Sequence, residues 1–278
     1  MKTIYDDVSA LTSKATTRAY STSFSLGIYF LDSKIHKPIY NIYGFVRLAD
    51  EIVDSFHGYD KAYLMQKFRE DTVEALKLKI SLNPILNSFQ ETVHTYNIEW
   101  ELIDTFLKSM EMDLMQKEYT ADSYNQYILG SAEVVGLMCL RVFTQKNNIQ
   151  YQELKPYAMK LGAAFQKVNF LRDLKADYQV LGRTYFPGVN FNTFSFQEKE
   201  KIQNEIEADF DAALIGIKKL PLEARRGVYL AYFYYKNLFL RIKETPAEKI
   251  MNSRIRIPDL NKIGLMFNSL IRHQFNIF

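Results

Sequence analysis

Two acidic constellations in this sequence have the residue types and spacing to hold a divalent cation. The first runs Tyr43-Gly-Phe-Val-Arg47-Leu-Ala-Asp50-Glu51-Ile-Val-Asp54. On a helix Asp50 and Asp54 share a face, with Arg47 one turn before Asp50. The second is Gln166-Lys-Val-Asn169-Phe-Leu-Arg172-Asp173-Leu-Lys-Ala-Asp177. At 100° per residue, Gln166, Asn169, Asp173 and Asp177 fall within about 80° of one another. This narrow polar stripe sits in a segment otherwise supplied with Leu161, Phe165, Val168, Phe170, Leu171 and Leu174. A lone Asp pair four apart is common on solvated faces, and Arg47 with Asp50 or Asp54 could form an ordinary surface ion pair. The second stripe points to a polar cavity between helices, since Gln and Asn solvate a surface poorly. Its donors are all oxygen, which suits Mg²⁺. The four histidines, His36, His57, His94 and His273, are too dispersed for a zinc site.

Two further patches follow. Tyr127 to Gly136 places Gly130, Ser131, Ala132 and Gly136 inside a helical pattern. That pattern fits either close helix packing or a kinked helix making room for a long apolar ligand. Gly182-Arg183-Thr-Tyr185-Phe-Pro187 lies just past the second stripe, where Arg183 could meet an anion held by metals at Asp173 and Asp177. The sequence contains no GxGxxG, no GK[ST] loop and no GxSxG elbow.

The elements that must carry these groups read as helices. Apolar periodicity predicts them over residues 34–55, 60–79, 84–96, 99–117, 120–143, 150–180, 196–220, 221–244 and 258–275. Asp32 or Ser33, Thr120 and Pro221 serve as starting signals. The expected architecture is all-α, one domain over residues 1–278 of about eight to ten helices. Residues 182–193 are the least helical stretch, a candidate flap. The chain has 278 residues, 47% of them hydrophobic and 24% charged, enough for a sizeable core. A net charge of +3 argues against nucleic acid as a partner, and the single Cys139 excludes an intrachain disulfide. The most apolar stretch, Ala132 to Phe143, contains Glu133 and Arg141 and is too short to span a bilayer. The N-terminus has no signal-peptide character. A cytoplasmic protein is expected, with membrane contact open.

The order and content of these patches resemble the squalene/phytoene synthase family, from about Ser21 to Lys262. The opening Ser21-Thr-Ser23-Phe24 resembles the family's Ser-x-Ser-Phe. The first aspartate-rich motif matches at Tyr43, Arg47, Asp50 and Asp54, with Glu51 where Asp is usual. Ser109-Met110-Glu-Met-Asp113-Leu114 resembles Gly-Met-x-x-Asp-Leu, with Ser for Gly. Tyr127 to Gly136 resembles YxxxVAGTVG, with Glu133 for Gly. The motif QxxNxxRDxxxD is complete at Gln166, Asn169, Arg172, Asp173 and Asp177, and RxYxP follows at Arg183, Tyr185 and Pro187.

The resemblance implies an isoprenoid-synthase-type bundle of helices around a deep cavity, with the two acidic helices facing across its mouth. It implies Mg²⁺, with Mn²⁺ as an alternative, held by Asp50, Asp54, Asn169, Asp173 and Asp177. Prenyl diphosphate substrates would be contacted by Ser21, Phe24, Arg47, Gln166, Asn169, Arg172, Arg183, Tyr185 and Arg254. Tyr43, Tyr127 and Tyr235 join the aspartates as catalytic groups. The expected reaction is head-to-head condensation of two geranylgeranyl diphosphates to phytoene. The alternative uses two farnesyl diphosphates to make squalene or dehydrosqualene, with NADPH needed for squalene alone. A helical scaffold descended from the fold is the non-enzymatic alternative.

Overall fold

The computed structural model describes residues 2–115, 118–178, 182–189, 194–252 and 255. Local capping chemistry sets most helix starts. The Asp32 carboxylate accepts from the Lys34 amide at the start of α3 (Ser33–Asp54), the helix carrying the first acidic motif. Asn83, followed by Pro84 in the first turn, opens α5 (Pro84–Tyr96), and Asp60 opens α4 (Lys61–Leu78). Reciprocal Thr120–Ser123 and Ser195–Glu198 capping boxes start α7 (Ala121–Ile128) and α10 (Phe196–Lys219). Pro221 is the N-cap of α11 (Leu222–Glu244) rather than a residue of its first turn. The remaining predicted helices appear as α6 (Trp100–Met115), α8 (Val134–Phe143) and α9 (Asn148–Ala176). Among the described residues there is no strand, only an isolated parallel bridge between Glu118 and Thr184. The all-α expectation holds.

Three helices are additional to the sequence reading: α1 (Lys2–Tyr20), α2 (Thr22–Tyr29) and α12 (Ala247–Asn252). The buried face of α1 consists of Ser9, Ser13 and Thr17, so apolar periodicity has nothing to detect. Small hydroxyl residues allow close approach. Ser13 bonds Ser88 on α5 at 2.7 Å, and a Cβ on Gly44 of α3 would meet Ser13 Oγ at 2.7 Å. The total is twelve α-helices among the described residues, above the eight to ten expected. The helix expected over 258–275, and Arg254 with it, lie outside the described residues.

The predicted helix 120–143 is interrupted. Between α7 and α8, Leu129–Glu133 form a π-helical turn. Both readings of this stretch apply to it. A Cβ on Gly130 would meet Ser109 Cβ at 2.5 Å, and one on Gly162 of α9 would meet the Ala132 carbonyl at 2.6 Å. The same turn sends Ser131, Ala132, Val135 and Gly136 to a cavity wall. By length and composition alone Ala121–Phe143 could cross a membrane, but half of that window is buried among the other helices, as in a core helix.

Two apolar cores position the site. One gathers α3, α5 and α6 around Phe45, Phe89 and Phe106; the other gathers α9, α10 and α11 around Val168, Phe210 and Phe239. Leu102, Phe143 and Val228 pack against both. The cavity opens between them, bounded by α2, α3, α8, α9, α10 and α11.

Candidate active site

Helices α3 and α9 bring the two acidic stripes to one mouth of this cavity. Arg47 and Asp50 from α3 and Gln166 and Asn169 from α9 line the polar end. Below them the α9 wall continues through Phe165, Leu161, Ala158 and Leu154, and the α8 wall through Val135, Cys139 and Phe143. At 1.5 Å per residue, about 22 Å of helix axis separates Asn169 from Leu154. A polar mouth therefore sits over a long, narrow and mostly apolar hole.

Asp50, Glu51, Asp54 and Asp173 are each drawn to an arginine. Arg47 pairs with both Asp50 and Glu51. Arg172 pairs with its neighbour Asp173, Nε lying 3.1 Å from either carboxylate oxygen. Arg183 Nη1 donates to Asp54 Oδ1 at 2.9 Å. Its place is set by a turn after α9: Gly182 takes a left-handed φ of 66°, and the Arg183 amide donates to the Asp177 carbonyl at 2.8 Å. Glu51, which departs from the resembled motif, serves as the second partner of Arg47. The guanidinium of Arg47 also lies 4.2 Å from the Tyr20 ring centroid.

The crowding is electrostatically uncomfortable. Burial first, and then the nearby Asp54, pushes the Asp50 carboxyl up to about 7. Burial and then Asp173 push Asp177 up to about 7 as well. Such acids hold protons in the folded chain that they would release on unfolding between about pH 4 and 7. Stability therefore falls as pH rises through that window, and the full penalty stands above 7. Asp113, raised to about 6 by burial, acts in the same direction. The carboxyls of Asp6, Asp104 and Glu207 are lowered instead, and their effect falls below about pH 4. The metal-free chain is thus expected to melt at a lower temperature at pH 8 than at pH 5.5, with Mg²⁺ plus pyrophosphate recovering most of the loss. A melting temperature that climbs over this range without metal would contradict the crowding.

The donor set fits Mg²⁺. Among the described residues no three His, Cys, Asp or Glu side chains already converge on one ion position. Several of the carboxylates are paired with arginines instead, and Mg²⁺ does not require such a cage. It keeps several waters and binds through one or two carboxylates plus substrate phosphates.

The aromatic groups form two sets. Phe24, Tyr43 and Phe165 line the upper cavity, and Tyr235 packs against Phe24 and Phe165 without lining it. Phe165 and Tyr235 stack at 4.0 Å, and Phe24 lies 5.5 Å from Tyr43 and 6.1 Å from Tyr235. Tyr235 also donates to Asn169 at 3.3 Å, which orients that amide. Ser21 caps α2 by accepting from the Phe24 amide at 3.1 Å, and it hydrogen-bonds Tyr43. It thereby sets two of these rings. Behind the mouth, Tyr185 stacks on Phe170 at 4.0 Å, and Tyr127 sits 5.2 Å from both Tyr185 and Tyr119. The Tyr127 hydroxyl donates to Asp113 at 2.6 Å, and burial keeps that phenol well above its usual range. Glu133 does not line the cavity. It lies near Lys160, Lys167 and Asp209, where burial raises its carboxyl, so the departure there leaves the cavity wall apolar.

Sequence reasoning gave Asp113 and Tyr119 no role. Asp113 stood in a recognisable segment, but no spacing rule links it to residues 119, 127, 183 and 185.

An all-α bundle with acidic helices at the mouth of an apolar cavity suits a substrate with an anionic head and a long apolar tail. The chain belongs to the squalene/phytoene synthase family, whose profile matches residues 17–261. It is 25% identical over 271 residues to the 15-cis-phytoene synthase of Synechocystis sp., covering 89% of this chain and 80% of that protein. It is 32% identical over 175 residues to the presqualene diphosphate synthase of Sinorhizobium fredii, covering 61% of this chain and 59% of the relative. Its fold matches a dehydrosqualene synthase crystal structure with a TM-score of 0.82 at 18% identity, over 97% of this chain and 98% of the other.

Proposed function

We propose that this protein condenses two geranylgeranyl diphosphates head to head, through cyclopropyl (prephytoene) diphosphate, to phytoene. The observation that carries the reading is the cavity wall that runs about 22 Å along α9 from Asn169 at the polar mouth to Leu154, apolar from Phe165 downward. An extended chain advances about 1.2 Å per bond. The 16-carbon main chain of a geranylgeranyl tail thus needs roughly 18 Å, and the 12-carbon farnesyl chain roughly 13 Å. The longer tail fills the hole, and the shorter leaves its lower part empty. The 25% identity to a phytoene synthase across most of the chain points the same way. The second reading, two farnesyl diphosphates, draws on the 32% identity to a presqualene diphosphate synthase.

Asp50, Asp54, Asn169, Asp173 and Asp177 would hold Mg²⁺, or Mn²⁺ in its place. When bound, the ion supplies charge neutralisation of the leaving diphosphate. Arg47, Arg172 and Arg183, released from their carboxylates, turn charge-assisted hydrogen bonds to phosphate oxygens. Gln166 at the mouth orients the head group. The walls keep water from the allylic cation. The faces of Phe24, Tyr43, Phe165 and Tyr235 stabilise it, each by about 1–2 kcal/mol when desolvated. Tyr127, its hydrogen pointed at Asp113, keeps oxygen lone pairs to accept the departing proton; a diphosphate oxygen is the competing acceptor. Arg254 remains a proposed phosphate contact. The reading places the protein in the cytoplasm, touching the membrane into which substrate tails and hydrocarbon product partition.

The test is product analysis with each prenyl diphosphate and Mg²⁺, with and without NADPH. A C40 triene from geranylgeranyl diphosphate, formed without NADPH, is expected. A C30 product alone would overturn the reading in favour of the second.

A further inference from the structure

Asp113, near the end of α6, is a carboxylate buried where carboxylates are costly. Its side chain is 3% exposed, and an uncompensated ion there would be strongly destabilising. Four groups from three parts of the chain compensate it. The hydroxyls of Tyr127, Tyr119 and Tyr185 donate to its oxygens at 2.6, 3.2 and 3.4 Å. Arg183 Nη1 lies 3.7 Å from Oδ1, and Arg183 Nη2 donates to the Asp113 main-chain carbonyl at 3.0 Å. The same Nη1 donates to Asp54 Oδ1. Arg183 is therefore shared between two carboxylates of different character. Asp54 stands at the mouth among the metal-ligand candidates, with its side chain 36% exposed. Asp113 is locked by three phenols and does not line the cavity.

From this sharing we infer that Asp113 is a positioning residue that acts through Arg183, holding the guanidinium ready for diphosphate when Asp54 turns to a metal. The inference rests on the diphosphate reading above. An arginine with one partner would stay with Asp54 and keep that oxygen from the ion. With Asp113 as a fixed second anion, Arg183 can release Asp54 without leaving a buried charge uncompensated. The tyrosines hold Asp113 in place, so that the anchor does not follow the arginine. This also explains why Tyr119, Tyr127 and Tyr185 converge on one point: they are the donors that make a buried, ionised anchor affordable.

The test is a double-mutant cycle on the full chain. Asp113→Asn keeps the size and an acceptor oxygen but removes the charge. Binding of inorganic pyrophosphate in the presence of Mg²⁺ is read by calorimetry, alongside KM and kcat for the prenyl diphosphate. Asp113→Asn is expected to weaken pyrophosphate binding about 10-fold and to raise KM by a similar factor, with a smaller change in kcat. Arg183→Gln is expected to weaken binding at least as much, and the double variant no more than Arg183→Gln alone. Asp113→Glu, which keeps the charge, is expected to recover affinity relative to the Asn variant. Unchanged or tighter binding by Asp113→Asn would overturn the inference, as would additive losses or no recovery with Glu. Thermal melting identifies a variant that has not folded; in that case the Glu variant, which retains the anion, decides on the same criteria. Failure of the parent protein to bind pyrophosphate with Mg²⁺ would overturn the diphosphate reading itself, and this inference with it.

Discussion

Replacing Asp50 by alanine is expected to abolish Mg²⁺-dependent diphosphate release, a loss of at least about 10³-fold, while leaving the metal-free chain as stable as the parent. The two halves of this expectation have separate causes. Asp50 lines the mouth opposite Asn169, so its loss removes an oxygen donor from the metal site. In the absence of metal, the same carboxylate is buried and repelled by Asp54, and its raised pKa shows that its charge is a burden on the fold. Arg47 would not be stranded, because Glu51 remains its partner. Asp173→Ala is expected to lose activity to the same degree from the other helix. Diphosphate release and thermal melting of the two variants check both halves. Turnover at the parent rate in either variant would remove the metal assignment, and a collapse of melting temperature in Asp50→Ala would mean that the acid is structural.

The second large effect concerns the depth of the cavity. Ala158 lines the α9 wall, about 16 Å of helix axis below Asn169. That depth lies beyond the end of a farnesyl chain and short of the end of a geranylgeranyl chain. Ala158→Phe projects a ring into the cavity there. It is expected to cut formation of the C40 product about 100-fold or more and to leave C30 formation from farnesyl diphosphate largely intact. Competition between the two substrates, read by chromatography of the hydrocarbon products, gives the ratio directly. A C40 yield equal to the parent's would show that the tails do not run along α9. Because half-buried Ala158 already faces open space, the cost to stability is expected to be within the usual 1–3 kcal/mol of overpacking.

Much of this molecule could be read from local chemistry. The α5 helix begins and ends where its proline and periodicity place it, and α3 and α4 agree to within a residue at each end. The exceptions have identifiable causes. The α1 helix presents hydroxyls rather than apolar side chains to its neighbours, so periodicity is silent there. The break in the helix from Ala121 to Phe143 is a one-residue change of hydrogen-bond register, which hydrophobic spacing does not record. In the site, both acidic stripes, Gln166, Asn169, Tyr43 and Tyr127 were named from spacing and resemblance; Asp50, Gln166, Asn169, Tyr43 and Tyr127 line the cavity, and Asp54 and Asp177 from the two helices lie within electrostatic reach of each other.

The sequence by itself determined where most of the helices run, which faces carry oxygen donors and which helices are apolar enough to wall a cavity. Each of these is a property of neighbours within a few turns of the same segment. Only the tertiary structure decided which charges on separate segments answer one another. Arg183 bonds a carboxylate 129 positions away in Asp54 and the main chain of Asp113 70 positions away. No periodicity reports such pairs, because they arise where separate helices end against one another. The buried cluster around Asp113 exists because an ion withdrawn from water must find its donors wherever the packed chain supplies them.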